Sequence, residues 1–144
     1  MVHIFYIIKT MFVQKSLQIL KDNHQKNTKT RLWILEQLAN IEKPLNPYAL
    51  IQASISNKIN ISTIYRNLEL FESLGIVHKI HSLWWYMPCI HQHTHCNKVH
   101  DLIICNSCNS IHETHIDPNT KKLLWLSAWP VELSGHCESC EQKK

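Results

Sequence analysis

The sequence predicts an α+β protein in which an N-terminal winged helix-turn-helix domain is followed by a small α/β domain. Three observations lead to this prediction. Amphipathic helical segments precede two short strand-like segments, two C-x-x-C pairs lie in the last third of the chain, and 144 residues suit two small domains. Hydrophobic residues make up 44% of the chain, near the globular average, which disfavours extensive disorder.

Apolar periodicity predicts the first two helices. A weak helix is expected over residues 12–24, and Met11 offers an alternative translation start that would leave residues 1–10 as an extension without a role. A clearer helix follows a polar connection, because four apolar side chains recur there at helical spacing. They are Ile34, Leu35, Leu38 and Ile41.

Two further helices are expected before the first strands. Asn46 offers an N-cap and Pro47 suits the first helical position, so a short helix should run from Pro47 to about Ser54. The next helix is expected to be capped by Ser62 and ended by Gly75 as a left-handed residue. Its buried stripe comprises Ile64, Leu68 and Phe71.

Strand-like segments at residues 76–80 and 84–87, joined by a turn, complete the first domain. Three helices followed by a two-stranded ribbon form the winged variant of the helix-turn-helix. The second domain is expected to contain strands at residues 102–105, 111–115 and 131–134 and a helix from Pro118 to about Leu126. We therefore divide the chain into an N-terminal extension and weak helix (1–27), a winged-helix domain (28–88), a His-rich hinge linker (89–100) and a C-terminal domain (101–144).

The C-terminal domain carries a predicted structural zinc site. Its ligands would be the two C-x-x-C pairs, Cys105, Cys108, Cys137 and Cys140. Two such turns can complete a tetrahedral four-thiolate site, which zinc favours and which is closed and structural. The alternative interpretation is a pair of redox dithiols. Zinc binding would provide folding free energy that so short a domain lacks.

The compartment inferred from the sequence agrees with metal rather than disulfide chemistry. We find no signal peptide, and no apolar run approaches the roughly 20 residues of a membrane span. We therefore expect a cytoplasmic protein without a membrane partner, in which a reducing environment keeps the cysteines available for metal.

A second metal site is indicated by a His-rich cluster that also contains Cys and Glu. Its candidate ligands are His78, Cys89, His91, His93, His95, His100 and Glu113. They come from both predicted domains, so a bound metal could lock one domain against the other and act as a switch. A mixed set of N, S and O ligands suits tetrahedral zinc better than ferrous iron. The alternative is a solvated His tract beside a buried thiol.

The start of the helix that contains Ile64, Leu68 and Phe71 provides candidate DNA contacts. In a helix-turn-helix the N-terminal residues of the recognition helix reach base edges. The candidates are Ser62, Thr63 and Arg66, with Tyr65 and Tyr48 lying against the DNA backbone. The net charge of +4 permits DNA binding without demanding it, so a protein-interacting winged helix is the alternative. A symmetric dimer would bind two half-sites of a near-palindrome.

Several motifs together resemble the ferric-uptake-regulator (Fur) family over about Thr28–Cys140. They are Arg31-Leu-Trp-Ile-Leu, Ser62-Thr-Ile-Tyr-Arg-Asn-Leu, Leu74-Gly-Ile-Val and His100-Asp-Leu-Ile-Ile-Cys-Asn-Ser-Cys. The segments around His78 and Tyr86-Met-Pro-Cys89 are similar to the zinc-uptake-regulator (Zur) branch. The resemblance implies a zinc-dependent dimerisation domain at the C-terminus, DNA contacts by Tyr48 and Arg66, and a homodimer on a double-stranded operator.

The resemblance also implies the ligands of the sensory zinc site. They would be His78, Cys89, His95 and Glu113, with His93 and His100 as alternatives to His95. Two zinc ions per protomer are then expected. The implied function is a zinc-responsive repressor of zinc-uptake genes, without a small-molecule substrate.

Departures from the family pattern favour zinc over iron. Leu102 stands where the iron site usually has a His, and Lys43-Pro44-Leu45 replaces the His used by iron and peroxide sensors. The stretch between Cys108 and Cys137 is shorter than usual. Alternatives are an iron or peroxide sensor and a zinc-stabilised adaptor without DNA binding. We expect no enzyme and no catalytic residues, because neither H-E-x-x-H nor H-x-E with P-C-x-x-C occurs.

Overall fold

The computed structural model describes residues 2–41, 43–55, 58–89, 101–126 and 131–142. The chain forms two compact units, Met1–Asn97 and Lys98–Lys144. The first unit contains helices α1 (Val2–Asp22), α2 (Lys29–Ala39), α3 (Pro47–Ser54) and α4 (Ile61–Ser73) and strands β1 (Val77–Ile80) and β2 (Trp85–Pro88). The second unit contains β3 (Asp101–Cys105), β4 (Ile111–Thr114), α5 (Pro118–Leu123), β5 (Glu132–Gly135) and α6 (Glu138–Glu141).

The first unit is a winged helix-turn-helix built around one apolar core, as the sequence predicts. The predicted stripes of α2 and α4 are buried, and side chains of α1, α3 and the wing join them. The core comprises Phe12, Leu20, Ile34, Leu35, Leu38, Leu50, Ile64, Leu68, Phe71, Ile76, Val77 and Tyr86. Each fully buried side chain of this size stabilises the fold by roughly 1.5–3 kcal/mol, so the core holds α4 against the other helices.

The first helix is longer than the sequence predicts. Instead of a weak helix over residues 12–24, α1 begins at Val2 and ends at Asp22. Phe12 and Leu20 lie in the core, and α1 packs against α2. The segment at residues 2–8 is apolar without helical periodicity, so its pattern gave no signal. None of the helices in the described ranges is long and apolar enough to cross a membrane.

The helix caps confirm the sequence prediction at α3 and correct it at α4. The Asn46 side chain accepts a hydrogen bond from Tyr48 N, as expected of an N-cap. At α4 the cap is Asn60, not Ser62, because Asn60 Oδ1 accepts from Ser62 N at 2.9 Å. Ser62 is therefore a helical residue with an exposed side chain. Gly75 has φ 69 and ends the helix in the left-handed region, as predicted.

The wing is an antiparallel ribbon whose register aligns Val77 with Pro88 and Ile80 with Trp85. Two backbone hydrogen bonds also pair Leu45 with Tyr86 in the antiparallel sense. The segment at Leu45 thus lies beside the predicted two-stranded ribbon as a very short third strand. This bridge uses the backbone groups just before α3, so the wing is tied to the helix-turn-helix.

The second unit is a three-stranded sheet in the order β4-β3-β5. β3 pairs antiparallel with β4 and parallel with β5, and α5 lies in the chain between β4 and β5. The predicted strands are confirmed within a residue or so of their bounds. α5 ends at Leu123, three residues before the predicted Leu126, and α6 was not predicted.

A buried ion pair joins the elements of the second unit. Asp101 is 0% exposed, and its Oδ1 accepts from Lys121 Nζ at 2.6 Å and from Val131 N at 2.9 Å. Its Oδ2 accepts from Ile116 N at 2.9 Å. Burial raises the pKa of Asp101, but the bond from Lys121 and the two backbone amides outweigh burial and hold it below 3.8. The carboxylate thus connects β3, α5 and the chain entering β5.

We expect Asp101→Asn to destabilise the second unit by about 3–5 kcal/mol, because it leaves the Lys121 ammonium buried without its counter-charge. Lys121→Met should cost less, since Asp101 keeps its two backbone donors. Chemical denaturation, followed by near-UV signals, measures both losses. Equal losses in the two variants would show that the unpaired ammonium is not the cause.

Candidate metal centre and DNA-reading surface

The topology of the second unit brings the two C-x-x-C pairs together. β3 and β5 run parallel, with Cys105 opposite Gly135, so both strands end at the same edge of the sheet. The first pair continues from β3 into the turn that precedes β4, and Asn109 takes a left-handed φ of 56 there. The second pair follows β5, with Cys137 at the N-terminus of α6. One strand pairing therefore determines where all four cysteines lie.

The four sulfur atoms form a cluster that fits a tetrahedral ion. The Sγ atoms of Cys105, Cys108, Cys137 and Cys140 all lie within 4.8 Å of one another. Cys108 Sγ and Cys137 Sγ are 3.8 Å apart. A tetrahedral zinc–thiolate site with bonds of about 2.3 Å requires sulfur separations of about 3.8 Å. The donor set and its spacing thus fit zinc, and four protein ligands leave no open position for substrate.

Hydrogen bonds make the thiols of this cluster unequal. The backbone amides of Cys137 and Cys108 lower the pKa of Cys105 to about 5. A contact with Ser110, 3.2 Å from the sulfur, lowers the pKa of Cys108 below 9.0. The sulfurs of Cys137 and Cys108 raise the pKa of Cys140 to about 12. The crowded thiols cannot all ionise alone, and a bound divalent cation removes that conflict.

Two of the predicted sensory ligands lie on the wing. His78 belongs to β1, and Cys89 directly follows β2, with its amide bonded to the Ile76 carbonyl at 3.0 Å. Cys89 is 6% exposed, and the Nε2 atom of His78 is buried. The Cys89 thiol and the His78 Nε2 atom are therefore shielded from solvent.

The other two predicted sensory ligands belong to different parts of the chain. Glu113 lies on β4 opposite Leu102, and both of its carboxylate oxygens are buried. His95 lies outside the described residues, as do the alternatives His93 and His100. Leu102 is 3% exposed and apolar, so it provides no ligand.

The predicted DNA contacts lie on α3 and α4, and most of them are exposed. Ser62, Thr63 and Arg66 are exposed on α4, opposite its buried stripe, and Tyr65 is half-buried beside them. Tyr48, in the first turn of α3, is 64% exposed. These hydroxyl, phenol and guanidinium groups can bond phosphate oxygens and base edges. The N-terminus of α4 therefore presents the chemistry that a recognition helix needs.

Sequence reasoning missed two polar residues of this domain. Asn60 caps α4, and Asn is as good an N-cap as Ser, so the signal was available. Asn67 is 8% exposed on the apolar side of α4 and accepts a hydrogen bond from Arg31. A polar residue on a buried stripe needs a hydrogen-bond partner elsewhere in the fold, so the position of Asn67 in the sequence predicts such a bond.

Comparisons with known proteins agree with this architecture. The sequence model of the ferric uptake regulator family matches residues 22–126. A Ferric uptake regulation protein of Staphylococcus aureus is 30% identical over 141 residues, covering 91% of this chain and 99% of that protein.

Two solved structures show the same fold at lower identity. A zinc uptake regulator complexed with zinc and DNA has a TM-score of 0.73 and 20% identity, covering 94% of this chain and 96% of that one. Holo XcZur has a TM-score of 0.74 and 23% identity, covering 92% and 98%. With its winged helix-turn-helix, its four-cysteine metal site and this family match, the chain belongs to the ferric uptake regulator family of metal-responsive transcription regulators.

Proposed function

We propose that this protein is a zinc-responsive transcriptional repressor of zinc-uptake genes, acting in the cytoplasm as a zinc-loaded dimer on a near-palindromic operator. Each protomer would hold two zinc ions. One is the structural ion of the four cysteines, and the other is a sensory ion whose occupancy controls DNA binding. The sensory ligands we propose are His78, Cys89, His95 and Glu113.

The observation that carries the proposal is the placement of His78 and Cys89 on the wing. The ribbon register aligns His78 with Met87, and the Cys89 amide bonds to Ile76. Directly opposed residues share a face of a ribbon, and so do residues two apart. His78 and Cys89 therefore lie diagonally on one face, where residues are about 7–8 Å apart and long side chains can meet.

The chemistry of these ligands supports zinc. An imidazole, a thiolate and a carboxylate form a mixed set that suits a tetrahedral borderline-soft ion, whereas sites for ferrous iron are dominated by N and O ligands. Thr94-His95 resembles the linker ligand of the zinc-uptake-regulator branch, which is why we choose His95. The structure of holo XcZur and that of a zinc uptake regulator complexed with zinc and DNA add support through the shared fold.

Binding of the sensory ion would act by changing the population of DNA-competent conformations. His78 and Cys89 precede the hinge linker in the sequence and Glu113 follows it, so one ion bound by all three would restrict the conformations that the chain can adopt. A coupling free energy of roughly 1–3 kcal/mol changes operator affinity roughly 5- to 150-fold, which is enough for a switch. When zinc is scarce the site empties and repression ends.

An iron-responsive regulator is the second candidate function. The staphylococcal relative at 30% identity is named Ferric uptake regulation protein. Two features of this chain count against iron: the soft thiol of Cys89 among the proposed ligands, and the buried apolar Leu102 where that site usually has a His. Metal content therefore decides between the two candidates.

We expect purified protein to contain two zinc ions per protomer and the Cys89→Ser variant to contain one. The variant should also lose the dependence of DNA binding on free zinc, because a Ser hydroxyl is a poor zinc ligand. Elemental analysis gives the zinc count. Fluorescence anisotropy, with free zinc buffered and DNA selected by the wild-type protein from a random-sequence library, gives the affinity.

Cys140→Ser provides the matched control, since it removes a ligand of the other site. It should reduce the helix and sheet signal of the second unit, whereas Cys89→Ser should leave the fold unchanged. A single zinc ion in both wild type and Cys89→Ser, with DNA binding indifferent to free zinc, would refute the sensory site. Iron in place of the second zinc would support the second candidate.

We expect Trp125→Ser to weaken dimerisation about 30-fold or more, because buried interface tryptophans commonly contribute about 2 kcal/mol or more. Three consecutive apolar side chains are exposed at the end of α5: Leu123 (78%), Leu124 (60%) and Trp125 (95%). We propose that they contact the second copy in the dimer. Analytical ultracentrifugation measures the change. Trp84→Ser, at a tryptophan 69% exposed in the first unit, should have no effect. Equal dissociation constants for both variants would place the interface elsewhere.

A further inference from the structure

Arg31, in the first turn of α2, joins three parts of the winged helix. Its Nε donates to Asn67 Oδ1 of α4 at 3.0 Å, and one terminal nitrogen donates to the Lys26 carbonyl at 2.6 Å. The other terminal nitrogen lies 3.3 Å from Gln25 Oε1. One planar guanidinium thus connects α2, the recognition helix and the loop that follows α1. Only arginine offers donors in this fixed fork.

The loop that accepts from Arg31 is itself held at both ends. His24 takes a left-handed φ of 56 after α1, and Gln25 N donates to the Leu20 carbonyl at 2.8 Å, closing the helix end. Thr28 then caps α2 by accepting from the amide of Arg31 itself at 3.2 Å. The acceptors of Arg31 are therefore fixed to the helices, which makes the guanidinium a brace between α1, α2 and α4.

Asn67 connects Arg31 to the N-terminal turn of α4, where the proposed DNA contacts lie. Its side chain is 8% exposed among apolar neighbours, so its polar atoms need partners within the protein. Oδ1 accepts from Arg31, and Nδ2 donates to the Thr63 carbonyl at 2.7 Å. Thr63 is one of the exposed residues at the start of the helix. The chain of hydrogen bonds thus ends at the backbone of Thr63, one of the α4 residues assigned to DNA.

We propose that Arg31 is a positioning residue for operator recognition: through Asn67 it fixes the rotation of α4 about its own axis. Apolar contacts alone tolerate small rotations of a helix, since they are non-directional, whereas a hydrogen bond from a guanidinium that is itself held in place is directional. Base readout by Arg66 and Thr63 depends on such rotation, and phosphate attraction does not. The inference rests on the proposed DNA-binding function.

A direct phosphate contact is the competing role for this arginine, and substitutions separate the two roles. Arg31→Lys keeps the charge but cannot reach three acceptors at once. If Arg31 positions α4, this variant should discriminate less between DNA sequences. If Arg31 contacts a phosphate, the lysine should largely keep that contact. Arg31→Gln removes the charge. If Arg31 contacts a phosphate, its loss should reduce the slope of log K against log salt concentration by about 1. If Arg31 only positions α4, the slope should stay unchanged.

The experiment measures affinity of the zinc-loaded dimer for two duplexes, the one selected by wild type and a scrambled duplex of equal composition. We expect Arg31→Lys to lower the ratio of these affinities about tenfold while leaving scrambled-duplex affinity unchanged. Lys29→Ala, an exposed cation in the same helical turn, is the control and should leave the ratio unchanged. A double-mutant cycle with Asn67→Ala should be non-additive, because the two side chains form one unit. A wild-type ratio in Arg31→Lys overturns the proposal.

Amide hydrogen exchange of the dimer without DNA tests the brace independently of the proposed function. In Arg31→Lys we expect faster exchange in residues 60–67 and unchanged exchange in β1 and β2. An overall loss of stability would accelerate exchange in the two strands as well, so they serve as the control. Unchanged exchange in residues 60–67 overturns the proposal even if DNA binding is confirmed. If wild type prefers no DNA sequence, the repressor function fails, while the exchange result still decides whether Arg31 positions α4.

Discussion

The parallel pairing of β3 with β5 is the constraint on which the second unit depends. It places the ends of both strands at one edge of the sheet and delivers four thiols within 4.8 Å of one another. Such crowding favours folding only with a cation, since several thiolates at this distance repel one another. The described residues of this unit include few large buried apolar side chains, so an ion bound by the four cysteines, together with the Asp101–Lys121 pair, would take the place of a conventional core.

The winged helix depends on a different kind of interaction. Its core contains apolar side chains from all four helices and the wing, and this burial requires no metal. Apolar burial sets the overall packing of α4, and the directional bonds of Arg31 and Asn67 add rotational definition. The residues that stabilise α4 are thus different from those that we propose for DNA recognition. Ile64 and Leu68 are buried, while Thr63 and Arg66 remain at the surface.

Much of this fold was predictable because local rules and tertiary structure agree. The stripe of Ile64, Leu68 and Phe71, the N-cap Asn46 and the left-handed Gly75 were all predicted from spacing and residue type. The four-cysteine cluster followed from the two C-x-x-C pairs alone. The full extent of α1 did not, because a continuous apolar run carries no helical period. The Arg31–Asn67 and Asp101–Lys121 bonds also escaped prediction, since they join residues far apart in sequence and depend on tertiary packing.

A metal sensor must change conformation without losing its fold, and this requirement separates the two proposed zinc sites. Emptying the four-cysteine cluster removes free energy that the second unit needs to fold, so that site is unsuited to reversible sensing. His78 and Cys89 flank core residues of the wing, where Ile76, Val77 and Tyr86 keep the ribbon folded. Ligands on an element stabilised by apolar burial can lose their ion and stay in place. The free energy of binding at the proposed sensory site would then be available for the conformational equilibrium rather than consumed in folding.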